Sequence, residues 1–189
     1  MVTAPAGSEV TGGEVRGGAA WAIAATVPDP ELPMVTLAEL GILRDVRDDG
    51  AGVTVTITPT YSGCPAMHEI SQDLRRRLSA AGYRDVTLLT ALSPPWTSDW
   101  ITPEGRRKLA AAGIAPPNAA HPDDHAGKGG DLPSGRPVPL TLTDRPRSVT
   151  CPLCGSARTR ETSAFSGTAC KALYQCTDCR EPFEYVKEI

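Results

Sequence analysis

Cysteine spacing is the strongest chemical signal in the chain. Of six cysteines, four fall in two Cys-x-x-Cys pairs, Cys151 with Cys154 and Cys176 with Cys179. Each pair can aim two thiolates at one ion, and two pairs complete a tetrahedral four-sulfur site. The 21 residues between the pairs, 155–175, lie just beyond the commonest gap of about 15–20 but within ribbon geometry. A segment of about forty residues cannot bury enough core to fold alone, and a structural Zn2+ supplies the missing free energy. Zinc is the leading assignment, with a redox dithiol or an iron–sulfur site as the alternatives. A closed four-sulfur site has no open position, so its role is structural.

A second signal is the stretch Thr60-Tyr-Ser-Gly-Cys64-Pro-Ala-Met-His68. Alternation of Val53, Val55 and Ile57 with Thr54, Thr56 and Thr58 predicts a strand leading into it, and an amphipathic helix from Pro65 to Ala81 leads out. Proline suits a first helical position, which places Cys64 at the helix mouth, where free N–H groups and the helix dipole favour a thiolate or a bound anion. Two readings of Cys64 stand level: a small buried cysteine near a helix start, or a reactive thiol or metal ligand. His68, one turn along, could face Cys64 as a base or second ligand, but a histidine there is more often a surface or capping residue. Asp29 and Glu31 are carboxylates in a rigid proline loop, where solvated charges are the default. Cys170, outside the two pairs, reads as packed before it reads as a redox or relay thiol. No Ser-His-Asp order, phosphate-binding glycine loop or paired-carboxylate pattern is present, and no catalytic residue is assigned.

The elements that must position these residues follow from periodicity and breakers. Residues 1–18 read as a flexible tail. Trp21 to Val27 predicts one or two helical turns with Trp21 and Ile23 inward, ended by the prolines of Pro28-Asp29-Pro30-Glu31-Leu32-Pro33. Leu37 to Leu40 suggests a helical turn closed by Gly41. Residues 42–47 and 53–58 predict a hairpin across Asp48-Asp49-Gly50. Met67, Ile70, Leu74 and Leu78 recur at helical spacing, and Gly82 ends that helix. Val86 to Leu92 predicts a third strand, apolar enough to be central. Thr102-Pro103-Glu104 starts a further helix, with threonine as cap, that stops at Gly113. The predicted fold class is α+β: a small three-stranded sheet with helices on one face over 19–117, a flexible linker over 118–148, and a zinc ribbon over 149–189. His121 and His125 read as solvated linker histidines, because Pro122 and nearby glycines oppose a helix.

Bulk properties set limits. The 189 residues suit one ordinary domain and a small second one, and the 18 Gly and 18 Pro predict long irregular segments. A net charge of −3 asks for neither nucleic acid nor an anionic membrane. The ribbon segment carries five basic and five acidic side chains, whereas a phosphate-binding face needs a basic excess. Protein contact through Phe165, Tyr174, Phe183 or Tyr185 is the better expectation, with some of them in the core. The run Ala19 to Val27 is too short to span a bilayer, and no basic start precedes an apolar core, so a cytoplasmic location is expected.

Asp29-Pro-Glu31, the hairpin and Thr60-Tyr-Ser-Gly-Cys64-Pro resemble the domain of iron–sulfur assembly and carrier proteins related to the SufT type. The continuation Pro94-Pro95-Trp96-Thr97-Ser-Asp99-Trp100-Ile101-Thr102, with Gly113-Ile-Ala-Pro-Pro117, narrows the resemblance. So does Ser163-Ala-Phe165-Ser-Gly-Thr168-Ala-Cys170-Lys171-Ala-Leu-Tyr174 with Glu181-Pro182-Phe183. Together they resemble the PaaD-like family, the D component of the phenylacetyl-CoA epoxidase system, over about 19–117 and 149–189. At Ser166-Gly167 the family pattern tends to read Gly-Ser, a departure that touches no proposed ligand.

The resemblance implies an accessory role in bacterial phenylacetate breakdown, in which other subunits carry the oxygenase and reductase. It implies that Cys64 handles a transient iron–sulfur cluster or iron, that Asp29 and Glu31 form the family's acidic motif, and that Cys151, Cys154, Cys176 and Cys179 hold Zn2+. The alternative is a non-catalytic scaffold subunit of the same complex in which Cys64 is purely structural. One thiol cannot hold a cluster that normally needs four protein ligands. The sequence therefore predicts a homodimer or a transient complex with the other subunits, and neither nucleic acid nor membrane as partner.

Overall fold

The computed structural model describes residues 18–50, 52–61, 63–118 and 149–188. The expected tail and linker, with His121 and His125, lie outside the described residues apart from Gly18 and Asn118. Helix α1, Ala19–Ala24, buries Ala20 and Ala24 one turn apart, and Trp21 and Ile23 pack only at the edge of the core. The expectation of Trp21 and Ile23 as the inward pair is corrected accordingly. The proline loop that follows is closed by a bridge between Pro28 and Thr36 and by the Asp29 N–H donating to the Val35 carbonyl at 3.0 Å. Thr36 and Glu39 then cap the next turn reciprocally: the Glu39 N–H donates to Thr36 Oγ1 at 3.2 Å, and the Thr36 N–H to Glu39 Oε2 at 2.9 Å.

Strands β1, Leu43–Asp48, and β2, Val53–Ile57, form the expected antiparallel hairpin. Gly50 at φ 79° supplies its left-handed turn residue. Helix α2, Met67–Ala80, crosses over to β3, Val86–Thr90, which pairs with β2 in parallel. Val53, Val55 and Ile57 join Ile70, Leu74 and Leu78 in one core, so the helix covers that face of the sheet. The sheet order is β1-β2-β3, which puts β3 at an edge and β2 in the centre. The expectation of a central third strand therefore fails. Leu88 packs against the core, whereas Leu89 is 49 % exposed and Leu92, just beyond the strand, 58 %.

The segment after β3 is pinned by Trp96, whose buried indole N–H donates to the Leu40 carbonyl at 2.9 Å. Helix α3, Pro103–Ala111, begins as read, with Thr102 Oγ1 accepting the Gly105 N–H at 3.0 Å. Gly113, at φ 79°, turns the chain into a two-residue strand β4, Ile114–Ala115.

The last forty residues supply β5, Thr159–Ser163, β6, Lys171–Cys176, and β7, Pro182–Val186. Their sheet runs β4-β7-β6-β5, so β4 from the first segment extends the ribbon sheet through parallel pairing with β7. Val186 in turn is buried in the core of the first segment. Tyr174, Phe183 and Tyr185 form the ribbon core, with ring centroids 6.0 and 5.4 Å apart. Of the four aromatics expected to offer a contact surface, only Phe165 is well exposed.

Candidate metal centres

The two Cys-x-x-Cys pairs converge. Cys151 Sγ lies 3.8 Å from Cys179 Sγ, Cys154 Sγ lies 3.6 Å from Cys176 Sγ, and all four sulfurs fall within 4.8 Å of one another. A tetrahedron with metal–sulfur bonds of about 2.3 Å has edges of about 3.8 Å, so the donor set fits a single ion.

The knuckles owe this aim to backbone geometry. The Gly155 N–H donates to the Cys151 carbonyl at 2.9 Å, with Gly155 at φ 75°. Arg180 occupies the same left-handed position, φ 67°, after the second pair. The Cys179 N–H, against the penalty of burial and helped by the Asp178 N–H, holds the Cys176 thiol down to about 7. The knuckles are tied together by Asp178, which accepts from Ser156 Oγ and pairs with Arg158.

A second constellation forms where the ribbon meets the first segment. Asp29, Glu31, Cys64, Cys170 and Lys187 line one pocket, with Met67, Ile70 and Trp96 among its apolar walls. Its free volume of about 30 Å3 has room for one water or one ion and not for an organic substrate. Asp29 is buried, and its Oδ1 accepts the N–H groups of both Glu31 and Leu32 at 2.9 Å. That turn fixes the loop carrying Glu31. Burial pushes the Glu31 carboxyl above its ordinary value, as does neighbouring Asp29, while Lys171 and a hydrogen bond with Thr168 of the ribbon oppose the rise.

Cys64 sits in a turn before α2, with its N–H donating to the Tyr61 carbonyl at 3.2 Å and its own carbonyl accepting from Met67 at 3.3 Å. Pro65 and Ala66 belong to this turn, so the helix begins at Met67 and not at Pro65. Burial pushes the Cys64 thiol up; the Ala66 N–H opposes this, but Glu31, Asp29 and Cys170 add to it. The expected thiolate-favouring helix mouth is thus outweighed by desolvation and by carboxylates. Asp29 and Glu31 set two carboxylates beside the thiol in an otherwise largely apolar pocket, with Lys187 on the same wall.

His68 does not face Cys64. Its ring is exposed and lies 2.7 Å from the Gln72 amide, four residues along α2. Cys170, read from sequence as packed, instead lines the pocket with Cys64, and its sulfur lies 3.1 Å from Thr168 Oγ1. A cysteine left over from the two knuckles, beside another unpaired cysteine in the first segment, was the available sequence signal. Among the described residues, the four ribbon cysteines are the one group whose donors all lie within 4.8 Å, so the pocket donors stand further apart than that. Among the described residues no helix is long and apolar enough to cross a membrane.

Comparison with known proteins matches residues 20–87 to the iron–sulfur cluster assembly protein family and residues 135–187 to the PaaD zinc beta ribbon domain. The Escherichia coli (strain K12) protein named as the D component of 1,2-phenylacetyl-CoA epoxidase is 41 % identical over 167 residues, which cover 88 % of this chain and 90 % of that protein. An Fe-S protein maturation auxiliary factor of Porphyromonas gingivalis (strain ATCC BAA-308 / W83) is 38 % identical over 87 residues, 44 % of this chain and 81 % of that one. A solved Bacillus anthracis domain of unknown function, DUF59, is 28 % identical, covering 48 % of this chain and 87 % of its own, with a TM-score of 0.44. With both family matches in one chain and the first relative aligned over nearly its whole length, the chain belongs to the PaaD family, the D component of phenylacetyl-CoA epoxidase.

Proposed function

We propose that this chain is an accessory protein of the phenylacetyl-CoA epoxidase system that helps assemble or deliver iron or an iron–sulfur centre to the oxygenase or reductase subunits. The observation that supports the reading is the small pocket that Cys64 lines together with the carboxylates of Asp29 and Glu31. Its volume suits an ion and is far too small for an acyl thioester. Cys64 acts as the transfer thiol. It gives up its proton when a cation arrives, because the nearby carboxylates that disfavour a bare thiolate favour a metal thiolate.

In the ribbon, Cys151, Cys154, Cys176 and Cys179 hold one Zn2+, whose contribution is to fold the segment and set the wall carrying Cys170. The sulfur spacing of 3.6 and 3.8 Å supports a single ion, and the match to a zinc ribbon family supports zinc. The other epoxidase subunits are the partners, in the cytoplasm.

A second reading is a scaffold subunit with Cys64 purely structural. It is favoured by the packing of Cys64 against the main core. Cells expressing the epoxidase subunits with wild-type or Cys64→Ser protein separate the two readings. Loss of iron from the purified oxygenase or reductase in the mutant supports delivery, whereas normal iron and normal complex formation support the scaffold.

A further inference from the structure

We propose that the zinc ribbon is a detachable cover on Cys64: seated, it closes the pocket over the thiol, and unseated, it opens the thiol to a partner protein. The cover stands on the packing alone, and only its use, exposing a transfer thiol to a client, rests on the delivery reading. Cys64 is half-buried, and the pocket beside it is largely apolar with a free volume of about 30 Å3. That space takes one water and no partner side chain. A partner that draws Cys64 into a shared site therefore has to displace part of the wall.

The wall has two parts that are held differently. Leu40, Ile42, Ile70 and Trp96 belong to the core of the first segment. Cys170, Val186 and Lys187 come from the ribbon, and they are tied to one another. The Lys187 N–H donates to the Cys170 carbonyl at 2.9 Å, and Lys187 Nζ to the Ala169 carbonyl at 2.8 Å. With its own aromatic core and its own four-sulfur site, the ribbon can move as a unit. Among the described helices and strands, the β4–β7 pairing is the main junction between the segments, and it spans two residue pairs. Val186 in the main core and a hydrogen bond between Thr168 and Glu31 complete the seat. Buried Lys171, paired with Glu184 at 2.8 Å, adds a charge felt by both Asp29 and Glu31.

A seat of this kind opens more readily than either core, because local opening follows the buried apolar contact that must be broken. The thiol already feels the cover: burial pushes Cys64 up, and Cys170 of the ribbon is among the groups that add to the rise. When the ribbon departs, Cys170 leaves with it and Cys64 regains water. Asp29 and Glu31 stay behind on the proline loop, so the opened thiol keeps its carboxylate neighbours. The ribbon cysteines enter the argument through shape. Without a cation their sulfurs no longer fix the knuckles, and the strands cannot present Cys170, Val186 and Lys187 together. Occupancy of the structural site thereby controls access to a thiol in the other segment.

The test measures alkylation of Cys64 in the full chain at one neutral pH, counting the Cys64 peptide by mass spectrometry. N-ethylmaleimide is the small reagent, and a maleimide carrying a polyethylene glycol chain is the bulky one. Val186→Asp puts a carboxylate into the main core and should unseat the ribbon with its zinc retained, and Val186→Ala is the milder variant that keeps the fold if the aspartate disrupts it. Retained zinc and buried Trp96 emission report that both segments stay folded. Bulky-reagent labelling should rise by about tenfold or more in Val186→Asp, and in wild type stripped of zinc, because labelling follows the population of the open form. Val186→Ala should fall between wild type and Val186→Asp. The small reagent should gain less, whereas a change in thiol acidity alone would speed both reagents equally. Unchanged bulky-reagent rates in all three states, or equal acceleration of both reagents, would overturn the cover and leave delivery to be judged by the iron content of the client subunits. A gain specific to the bulky reagent, alongside fully metallated clients in cells carrying Cys64→Ser, would uphold the cover and remove delivery.

Discussion

Asp29 Oδ1 accepts the N–H of Glu31 at 2.9 Å, and through that bond a buried carboxylate holds an acidic side chain at the edge of a thiol-lined pocket. The same oxygen takes the Leu32 N–H, so two backbone donors of the proline loop depend on one side chain. Asp29→Ala should destabilise the fold by about 2 kcal/mol, because two donors lose a charged acceptor. Asp29→Asn, which keeps an acceptor oxygen, should recover most of the loss. Urea denaturation of the three proteins checks the order, and an equal loss in Asn and Ala variants would contradict it.

Glu39 carries a pH signature outside the metal sites. Burial works against its ionisation, but Lys108 Nζ at 2.6 Å and the Thr36 N–H at 2.9 Å outweigh it and hold the carboxyl below its ordinary 4.5. A depressed carboxyl contributes stability that is complete above 4.5 and is lost as pH falls through the folded value. Wild type should therefore lose stability more steeply than Glu39→Gln on acidification below 4.5, with the difference at neutral pH below ~1 kcal/mol for a partly exposed pair. Thermal melts across that range provide the measurement, and parallel curves would contradict the assignment.

Gly41 tests the packing behind the pocket. At φ 70°, an added Cβ would lie 2.5 Å from Trp100 Cβ and 2.8 Å from the Trp100 carbonyl oxygen. Gly41→Ala combines a left-handed backbone cost of about 1–2 kcal/mol with displacement of the Trp100 backbone. A loss exceeding ~2 kcal/mol in denaturant unfolding, with a shift in tryptophan emission, is expected.

Much of this organisation is legible in the sequence, and the exceptions share a cause. The four ribbon cysteines, whose spacing brings their sulfurs together, the Thr102 cap and the apolar stripe Ile70, Leu74 and Leu78 are local patterns. What escaped depends on partners distant in sequence. The apolar run of β3 does not reveal that β2 takes the centre. Pro65 is compatible with a helix start, but the Cys64–Met67 turn occupies that place. His68 has the right spacing for Cys64 yet lies against Gln72 at the surface. Cys170 becomes a pocket residue only because β4 pairs with β7, a contact between segments that no periodicity encodes.

Chelation should separate the two halves. Removing the ribbon ion with a strong chelator should unfold β5–β7 and erase the near-ultraviolet signal of Tyr174 and Tyr185, since the four sulfurs would be left crowded without a cation. The indole of Trp96, bonded to the Leu40 carbonyl within the first segment, should keep its buried emission. Re-addition of Zn2+ should restore the tyrosine signal. Loss of both signals together would show that the first segment depends on the ribbon for its fold.

The most direct test is the metal and sulfide content of protein purified without oxygen, wild type beside Cys64→Ser. One zinc per chain together with iron, the iron vanishing in Cys64→Ser while zinc stays, is the expected result, and accompanying sulfide would identify a cluster as the cargo. One zinc and no iron in both proteins, with oxygenase and reductase fully metallated in cells carrying Cys64→Ser, would contradict metal delivery by Cys64 and leave a scaffold.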